Sequence, residues 1–170
     1  MGREEQGVAG GGGRYVAVPR TLSFVLHGDD VLLLRGAPDK RLWPNRYNGV
    51  GGHVERGEDI LSAALREIRE ETGLLVRRAR LCAVVHIDAG DREAGVLLFV
   101  FMAEAEGRET IASREGVLEW VPRAQVLERD LVSDLRVLWP RVLSLPDGAP
   151  PLFAWYGYDE NDALVIRFAG

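Results

Sequence analysis

The sequence predicts an α+β domain in which helices pack against a mixed central sheet. Three observations support this prediction. The chain of 170 residues has the length of one domain. Most apolar runs have the length of strands and are separated by polar turns. Only two segments have the apolar spacing of an amphipathic helix, one in the middle of the chain and one near its end.

The N-terminal part of the chain contains a leader, a hairpin and a long loop. Residues 1–13 are rich in glycine and lack the basic start and apolar stretch of a secretory signal. We therefore expect a flexible leader, a single domain over residues 14–170 and a cytoplasmic protein. Residues 21–26 and 31–34 are predicted strands around a polar turn. The irregular segment 35–52 carries basic, aromatic and glycine residues, so ligand contacts are expected there.

The rest of the chain contains two predicted helices and five further strands. The first helix covers 59–72, begins at acidic residues and ends before Gly73, a residue type that favours helix C-termini. The second covers 125–143, where apolar residues recur at helical spacing. The strands are predicted at 76–87, 96–104, 118–122, 152–158 and 163–168.

The composition excludes several classes of protein. Hydrophobic residues make up 46% of the chain and charged residues 28%, a balance typical of a globular domain. No apolar run is long enough to cross a bilayer, so no membrane partner is expected. The 21 basic and 26 acidic residues give a net charge of −5, which argues against duplex nucleic acid as a partner. The single cysteine, Cys82, lies in an apolar stretch and is expected to be a buried thiol.

The first predicted helix carries a cluster of acidic residues on one face. At about 100° per residue, Glu67, Glu70 and Glu71 share a face about 100° wide, where their charges repel. Carboxylates suit hard divalent cations, and Mg²⁺ is commonly held by carboxylates together with substrate phosphates. The cluster therefore predicts a metal-bridged phosphate site. The alternative is an ordinary solvated acidic surface.

Two features around this helix frame the acidic face. A separate apolar stripe is expected to dock on the sheet while the acidic face stays available. The stripe consists of Leu61, Leu65, Ile68 and Thr72. Gly51 and Gly52 precede the helix, and glycines at these positions allow the backbone to turn sharply and come close to a ligand.

Residues 52–74 resemble the Nudix box, which is a glycine, five residues, a glutamate, seven residues and then Arg-Glu-apolar-x-Glu-Glu-x-Gly-apolar. Every fixed position of the motif has the expected residue type in this sequence. The residues at these positions are Gly52, Glu58, Arg66, Glu67, Ile68, Glu70, Glu71, Gly73 and Leu74. The order of the flanking strands and the late helix also resembles the Nudix α/β/α sandwich with its mixed central sheet.

The resemblance implies a hydrolase that uses Mg²⁺ or Mn²⁺, in which the metal directs water onto a phosphorus atom. Glu70 and Glu71 would be direct metal ligands, and Glu67 would ligate or orient the water. The carbonyl oxygen of Gly51 would add a backbone ligand. Arg66 would hold Glu70 in place, since the two residues lie one helical turn apart.

A further metal ligand is expected from a loop before a later strand. Nudix proteins commonly recruit a glutamate that precedes a strand bearing an aromatic residue. Glu115 and Glu119 are the candidates here. Glu115 lies five residues before Trp120, the spacing associated with the extra ligand, so Glu115 is favoured over Glu119.

The stretch before the box resembles the MutT-like diphosphatases of oxidised purine nucleoside triphosphates. By this resemblance Asn48 would contact a base, although an Asn-Gly turn explains the same residue equally well. Asp134 is the corresponding candidate in the late helix. The subgroup has paired aspartates, whereas Leu135 follows Asp134 here. Arg35 and Arg46 are the candidates for phosphate contacts.

The leading hypothesis is Mg²⁺-dependent hydrolysis of a nucleoside triphosphate to its monophosphate and pyrophosphate, with an oxidised purine nucleotide such as 8-oxo-dGTP as one candidate substrate. A second hypothesis is hydrolysis of ADP-ribose or another nucleoside diphosphate derivative. A third is a nucleotide-binding regulator without catalysis. The expected partner is a small nucleotide, and the sequence leaves open whether the protein is a monomer or a homodimer.

Overall fold

The computed structural model describes residues 15–169, so the predicted leader at 1–13 lies outside the described residues. The elements follow the predicted order, with one additional short strand and a 3-10 helix. The strands are β1 (Val16–His27), β2 (Asp30–Gly36), β3 (Tyr47–Asn48), β4 (Val76–Ile87), β5 (Ala94–Ala105), β6 (Gly116–Pro122), β7 (Leu152–Tyr158) and β8 (Leu164–Phe168). The helices are α1 (Ile60–Thr72), a 3-10 helix (Arg123–Glu128) and α2 (Leu135–Leu143).

The strands form one mixed sheet of eight strands. Its order is β3-β2-β1-β5-β4-β7-β8, and β6 also pairs with β2. The pairs β1/β5 and β4/β7 are parallel, whereas the other strand pairs are antiparallel. The predicted α+β class with a mixed central sheet is therefore confirmed.

A core lies on each side of the sheet. The larger core joins the strands to α2 and the 3-10 helix, with Phe24 and Trp139 in edge-to-face contact at a ring distance of 5.0 Å. The smaller core lies under α1, where Ile68 packs on Val25 and Leu32. The two helices thus cover opposite faces of the sheet, which gives the three layers that the sequence predicted.

Local signals at both ends of α1 explain its predicted boundaries. Asp59 is the N-cap, and its carboxylate accepts hydrogen bonds from the backbone N–H groups of Leu61 and Ser62 at 2.9 and 3.0 Å. Gly73 ends the helix in the left-handed conformation with φ 75°, and its N–H donates to the carbonyl of Arg69.

The face that α1 packs on the sheet differs from the prediction. The buried residues of the helix are Ala63, Ala64, Ile68 and Thr72. Leu61 and Leu65 stay 43% and 36% exposed, so their predicted docking is wrong. The small alanines allow α1 to lie close to the sheet. Because this face is packed instead of the predicted apolar stripe, Glu67 and Glu71 lie nearer the sheet and are partly buried.

The predicted helix at 125–143 is divided in the structure. Residues 129–134 leave the helical path, because their backbone pairs with β3. The N–H of Tyr47 donates to the carbonyl of Asp130 at 2.8 Å, and the N–H of Val132 donates to the carbonyl of Tyr47 at 3.0 Å. The predicted helical spacing included Leu131, which in the structure fills the core from this segment together with Val132.

No helix among residues 15–169 is long and apolar enough to cross a membrane. Cys82 is buried and free, as predicted.

Candidate active site

A cleft of about 690 Å³ opens at one end of the sheet. Its walls come from the loop after β2, the start of α2 and the β7–β8 hairpin, and its floor from β1, β5 and β7. Gly51 and Gly52 lie at its margin, next to the acidic helix α1. A volume of this size is ordinary for small-molecule and cofactor sites.

The two glycines allow three elements to meet closely. A Cβ atom on Gly52 would lie 2.5 Å from Oε1 of Glu67, so the carboxylate of Glu67 lies directly against this backbone. A Cβ atom on Gly51, which has φ +157°, would lie 2.2 Å from the carbonyl oxygen of Thr21 in β1. The glycines therefore fix the distance between β1 and the acidic face of α1.

Arg66 organises the acidic residues around it. Its guanidinium donates two hydrogen bonds to the carboxylate of Glu58, at 3.0 and 2.8 Å. Nη1 donates to Glu67 at 3.0 Å and to Glu70 at 3.1 Å, and Nη2 donates to the carbonyl of His53 at 3.0 Å. The hydrogen bonds to Arg66 lower the pKa of Glu58 below its ordinary value. Arg66 thus contacts Glu70, as predicted, and two further carboxylates.

Glu71 differs from Glu67 and Glu70 because it does not contact Arg66. Its Oε2 is buried without a hydrogen-bond partner among the described residues. Burial, followed by the negative charges of Glu115 and Glu67, raises the pKa of Glu71 to about 7. The fold has therefore brought Glu67, Glu71 and Glu115 into one electrostatic cluster.

This donor set fits a hard divalent cation. The oxygen atoms are carboxylate oxygens, one of them is buried and unpaired, and the charges repel until a cation compensates them. Within residues 15–169, no group of three or more acidic, histidine or cysteine side chains is arranged to hold a metal ion. Glu67 and Glu70 instead contact Arg66, and Glu115 contacts Lys40.

The structure separates the two candidates for the additional glutamate. Glu115 lines the cleft and forms an ion pair with Lys40, which also lines it. Glu119 accepts a hydrogen bond from the hydroxyl of Tyr47 at 2.7 Å and pairs with Arg129 at 2.7 Å. Of the two, Glu115 is therefore the one placed to act with α1.

Three of the four predicted substrate-binding residues line the cleft. They are Arg46, Asn48 and Asp134. Oδ1 of Asn48 accepts a hydrogen bond from the N–H of Gly49 at 2.8 Å, so the predicted turn contact is present in a residue that also faces the cleft. Asp134 lies at the start of α2 without a capping hydrogen bond, and burial raises its pKa above the ordinary value.

Arg35 does not line the cleft. Successive side chains of a strand point to opposite faces, and the cleft positions of β2 are Leu34 and Gly36. Arg35 is exposed and lies opposite Tyr47 in the β2/β3 pair. The hydrogen bond to Glu119 raises the pKa of Tyr47, and the positive charge of Arg35 opposes this rise.

Sequence reasoning missed two polar residues that line the cleft. Nε of Arg20, in β1, is buried without a partner among the described residues. Tyr156, in β7, is 1% exposed, and its hydroxyl likewise has no partner there. Tyr156 lies in a predicted strand, and Arg20 directly precedes one. Their approach to one cleft depends on the pairings β1/β5 and β4/β7, which join segments far apart in the chain.

The NUDIX domain matches residues 18–142, about three quarters of the chain. The chain belongs to the NUDIX family. The Nudix box at 52–74, with Arg66 and the acidic residues of α1, lies inside the matched segment.

Similar proteins agree with this family. The chain is 32% identical over 105 residues to the uncharacterized Nudix hydrolase YvcI of Bacillus subtilis (strain 168), covering 59% of this chain and 64% of YvcI. It is 32% identical over 108 residues to the 8-oxo-dGDP phosphatase NUDT18 of Mus musculus, covering 61% of this chain and 31% of NUDT18. Both matches span less than two thirds of the relative's own length.

The fold also matches a solved structure. The Mutator MutT protein of Bacillus halodurans has a TM-score of 0.75 and 29% sequence identity, with 89% of this chain and 97% of that chain covered. The mixed eight-stranded sheet with a helix on each face is therefore a Nudix fold.

Proposed function

We propose that this chain is a Mg²⁺-dependent Nudix pyrophosphohydrolase that cleaves a nucleoside triphosphate to its monophosphate and pyrophosphate. The observation that carries the proposal is the buried, unpaired carboxylate oxygen of Glu71 beside Glu67 and Glu115, at the margin of a nucleotide-sized cleft. The similarity to Nudix hydrolases and to a MutT protein supports it.

The metal ligands would be Glu67, Glu70, Glu71, Glu115 and the carbonyl oxygen of Gly51. When bound, Mg²⁺ would polarise the phosphoryl oxygens and orient a water molecule toward the phosphorus atom. No nucleophile from the protein is needed. Because the carboxylates are negatively charged, we expect the site to bind a cation and a metal-bridged polyphosphate in preference to a free anion.

The chain's own cations would position the other groups. Arg66 holds the carboxylates of Glu67 and Glu70 through Nη1, so it acts as a positioning residue for the metal ligands. Lys40 and Arg46 line the cleft beyond the acidic cluster, where their charges can bind the phosphates that extend from the metal. Lys40 also forms an ion pair with Glu115.

The apolar part of the cleft lining suits the base. Side chains such as Leu22, Leu98 and Leu164 belong to it and would provide the surface on which a planar ring packs. Asn48 and Asp134 offer hydrogen-bonding groups at its edges. NUDT18, a relative, is named for acting on 8-oxo-dGDP, which supports an oxidised purine nucleotide as the first candidate substrate.

The direct test is a substrate panel with purified protein and Mg²⁺. It contains 8-oxo-dGTP, dGTP, dATP and ADP-ribose, and product nucleotide and pyrophosphate are measured. We expect a triphosphate to have the highest kcat/KM and to release pyrophosphate. A higher kcat/KM for ADP-ribose would replace the proposed substrate class, and the absence of any hydrolysis would refute the proposed activity.

Substitution of Glu70 tests the metal site in the same assay. Glu70 is 61% exposed and, within residues 15–169, has one ion pair, with Arg66, so Glu70→Gln should leave the melting temperature nearly unchanged. We expect kcat to fall at least about 100-fold, because a ligand to the metal is lost. Glu109→Gln, at an exposed loop position, is the matched control and should retain full activity. Equal activity of the two variants would contradict the assigned ligand set.

A further inference from the structure

Tyr156 carries a polar group that the fold itself does not use. The residue lies in the middle of β7, between partners Ile87 on β4 and Ile166 on β8, and is 1% exposed. Its ring belongs to the larger core, yet its hydroxyl has no hydrogen-bond partner within residues 15–169. The residue also lines the cleft.

A buried hydroxyl without a partner lowers the stability of a fold. Phenylalanine would fill almost the same volume without this cost, so packing alone favours phenylalanine at position 156. Tyr47 provides the contrast within the same protein, because its hydroxyl donates to Glu119 at 2.7 Å. The unpaired hydroxyl of Tyr156 is therefore best explained by a partner that arrives with the ligand.

Asp134 lies on the same side of the cleft. It lines the cleft at the start of α2, and its charge contributes, after burial, to the raised pKa of Tyr156. Tyr156 therefore stays protonated and offers an O–H donor, whereas a carboxyl oxygen of Asp134 accepts. No hydrogen bond joins the two side chains in the described part of the chain. A donor and an acceptor thus belong to two residues that line the same cleft.

We propose that Tyr156 is a specificity-determining residue, and that the ring bound at the buried end of the cleft presents a lactam edge, with a carbonyl oxygen next to a ring N–H. The carbonyl accepts the hydrogen bond from Tyr156, and the N–H donates to Asp134. Guanine, hypoxanthine and uracil have such an edge, whereas adenine and unsubstituted purine do not. This inference rests on the proposed function, since it assumes that the base lies in this cleft.

The experiment compares two triphosphates that differ only at this edge. Inosine triphosphate has the lactam edge, whereas purine riboside triphosphate lacks the carbonyl oxygen and the adjacent N–H. For the wild-type protein, kcat/KM should be at least about tenfold higher for inosine triphosphate. In Tyr156→Phe, KM for inosine triphosphate should rise about tenfold with kcat within about twofold, and KM for the purine analogue should stay unchanged.

Thermal unfolding separates this role from a structural one. The melting temperature of ligand-free Tyr156→Phe should equal or exceed that of the wild type, because an unsatisfied hydroxyl is removed. Tyr47→Phe is the matched control, since it removes a hydroxyl that has a partner. It should lower the melting temperature and leave the preference between the two triphosphates intact.

The outcomes distinguish this inference from the proposed activity. Three results for Tyr156→Phe would overturn the inference while leaving the proposed hydrolase activity intact. They are an equal loss of affinity for both triphosphates, no loss of affinity for either, and a lower melting temperature than the wild type. If the wild type hydrolyses neither of these compounds nor any nucleotide of the substrate panel, the proposed activity fails instead. The inference is then tested by calorimetric binding of inosine monophosphate and purine riboside monophosphate, where the same selective loss is expected.

Discussion

Glu71 is the residue at which burial and charge oppose each other most directly. Its neighbours Glu67 and Glu70 each have an arginine contact, but Glu71 faces Glu115 and Glu67 with one oxygen unpaired. A buried carboxylate facing like charges lowers the stability of the fold when it is ionised. In the proposed site a bound cation would relieve this repulsion, so the cost in stability and the proposed affinity for metal would have one physical cause.

The pH dependence of stability tests this arrangement. The pKa of Glu71 rises from an ordinary 4.5 to about 7, so between these values the folded protein holds a proton that the unfolded chain has released. The metal-free protein should therefore lose stability as the pH rises from about 4.5 to about 7, and Glu71→Gln should remove that loss. Urea unfolding in EDTA measures it. The variant should match the wild type at pH 5 and exceed it at pH 8, whereas a constant difference would contradict the assignment.

At the scale of elements, the segment that joins β1 to α1 sets the site geometry. Gly51 contacts the rigid backbone of Thr21, whereas Gly52 contacts the flexible side chain of Glu67. The sequence predicted these glycines as close-approach positions. The sequence did not reveal that the nearest neighbours of these glycines are Thr21 and Glu67 of the protein itself. The reason is that α1 packs on the sheet through Ala63 and Ala64, not through the predicted apolar stripe.

Alanine substitutions at the two glycines should therefore have different effects. Gly51→Ala adds a Cβ against a backbone oxygen at an unfavourable φ, so the melting temperature should fall by about 4–8 °C or more. Gly52→Ala displaces only the end of the Glu67 side chain, so melting should change by less than about 2 °C while kcat falls about 10- to 100-fold. Calorimetry and a steady-state assay on both proteins measure this. Two equally unstable variants would contradict the assigned contacts.

Across the whole chain, the sequence predicted features that depend on neighbouring residues, such as helix ends and motif spacing. It did not predict which distant strands pair in the sheet. Caps predicted the ends of α1, and the spacing of the motif singled out the candidate ligands on α1. Arg20 and Tyr156 were missed, because only parallel pairings between distant strands bring them to the cleft. The late helix was predicted too long for a related reason, since the backbone of Asp130 and Val132 pairs with Tyr47 of β3.

Because the acidic cluster and the cleft adjoin, metal and nucleotide should stabilise the molecule cooperatively. A phosphate that bridges the metal binds more tightly when the metal is present, and the reverse must hold by linkage. A ligand at a free concentration of about 100 times its dissociation constant adds about 2.7 kcal/mol to the free energy of unfolding. In a domain of this size this raises the melting temperature by about 5–10 °C. We expect a non-hydrolysable guanosine triphosphate analogue with Mg²⁺ to raise the melting temperature by more than the two separate shifts combined. Glu70→Gln should reduce this excess to near zero, and merely additive shifts in the wild type would show that the two ligands do not share a site.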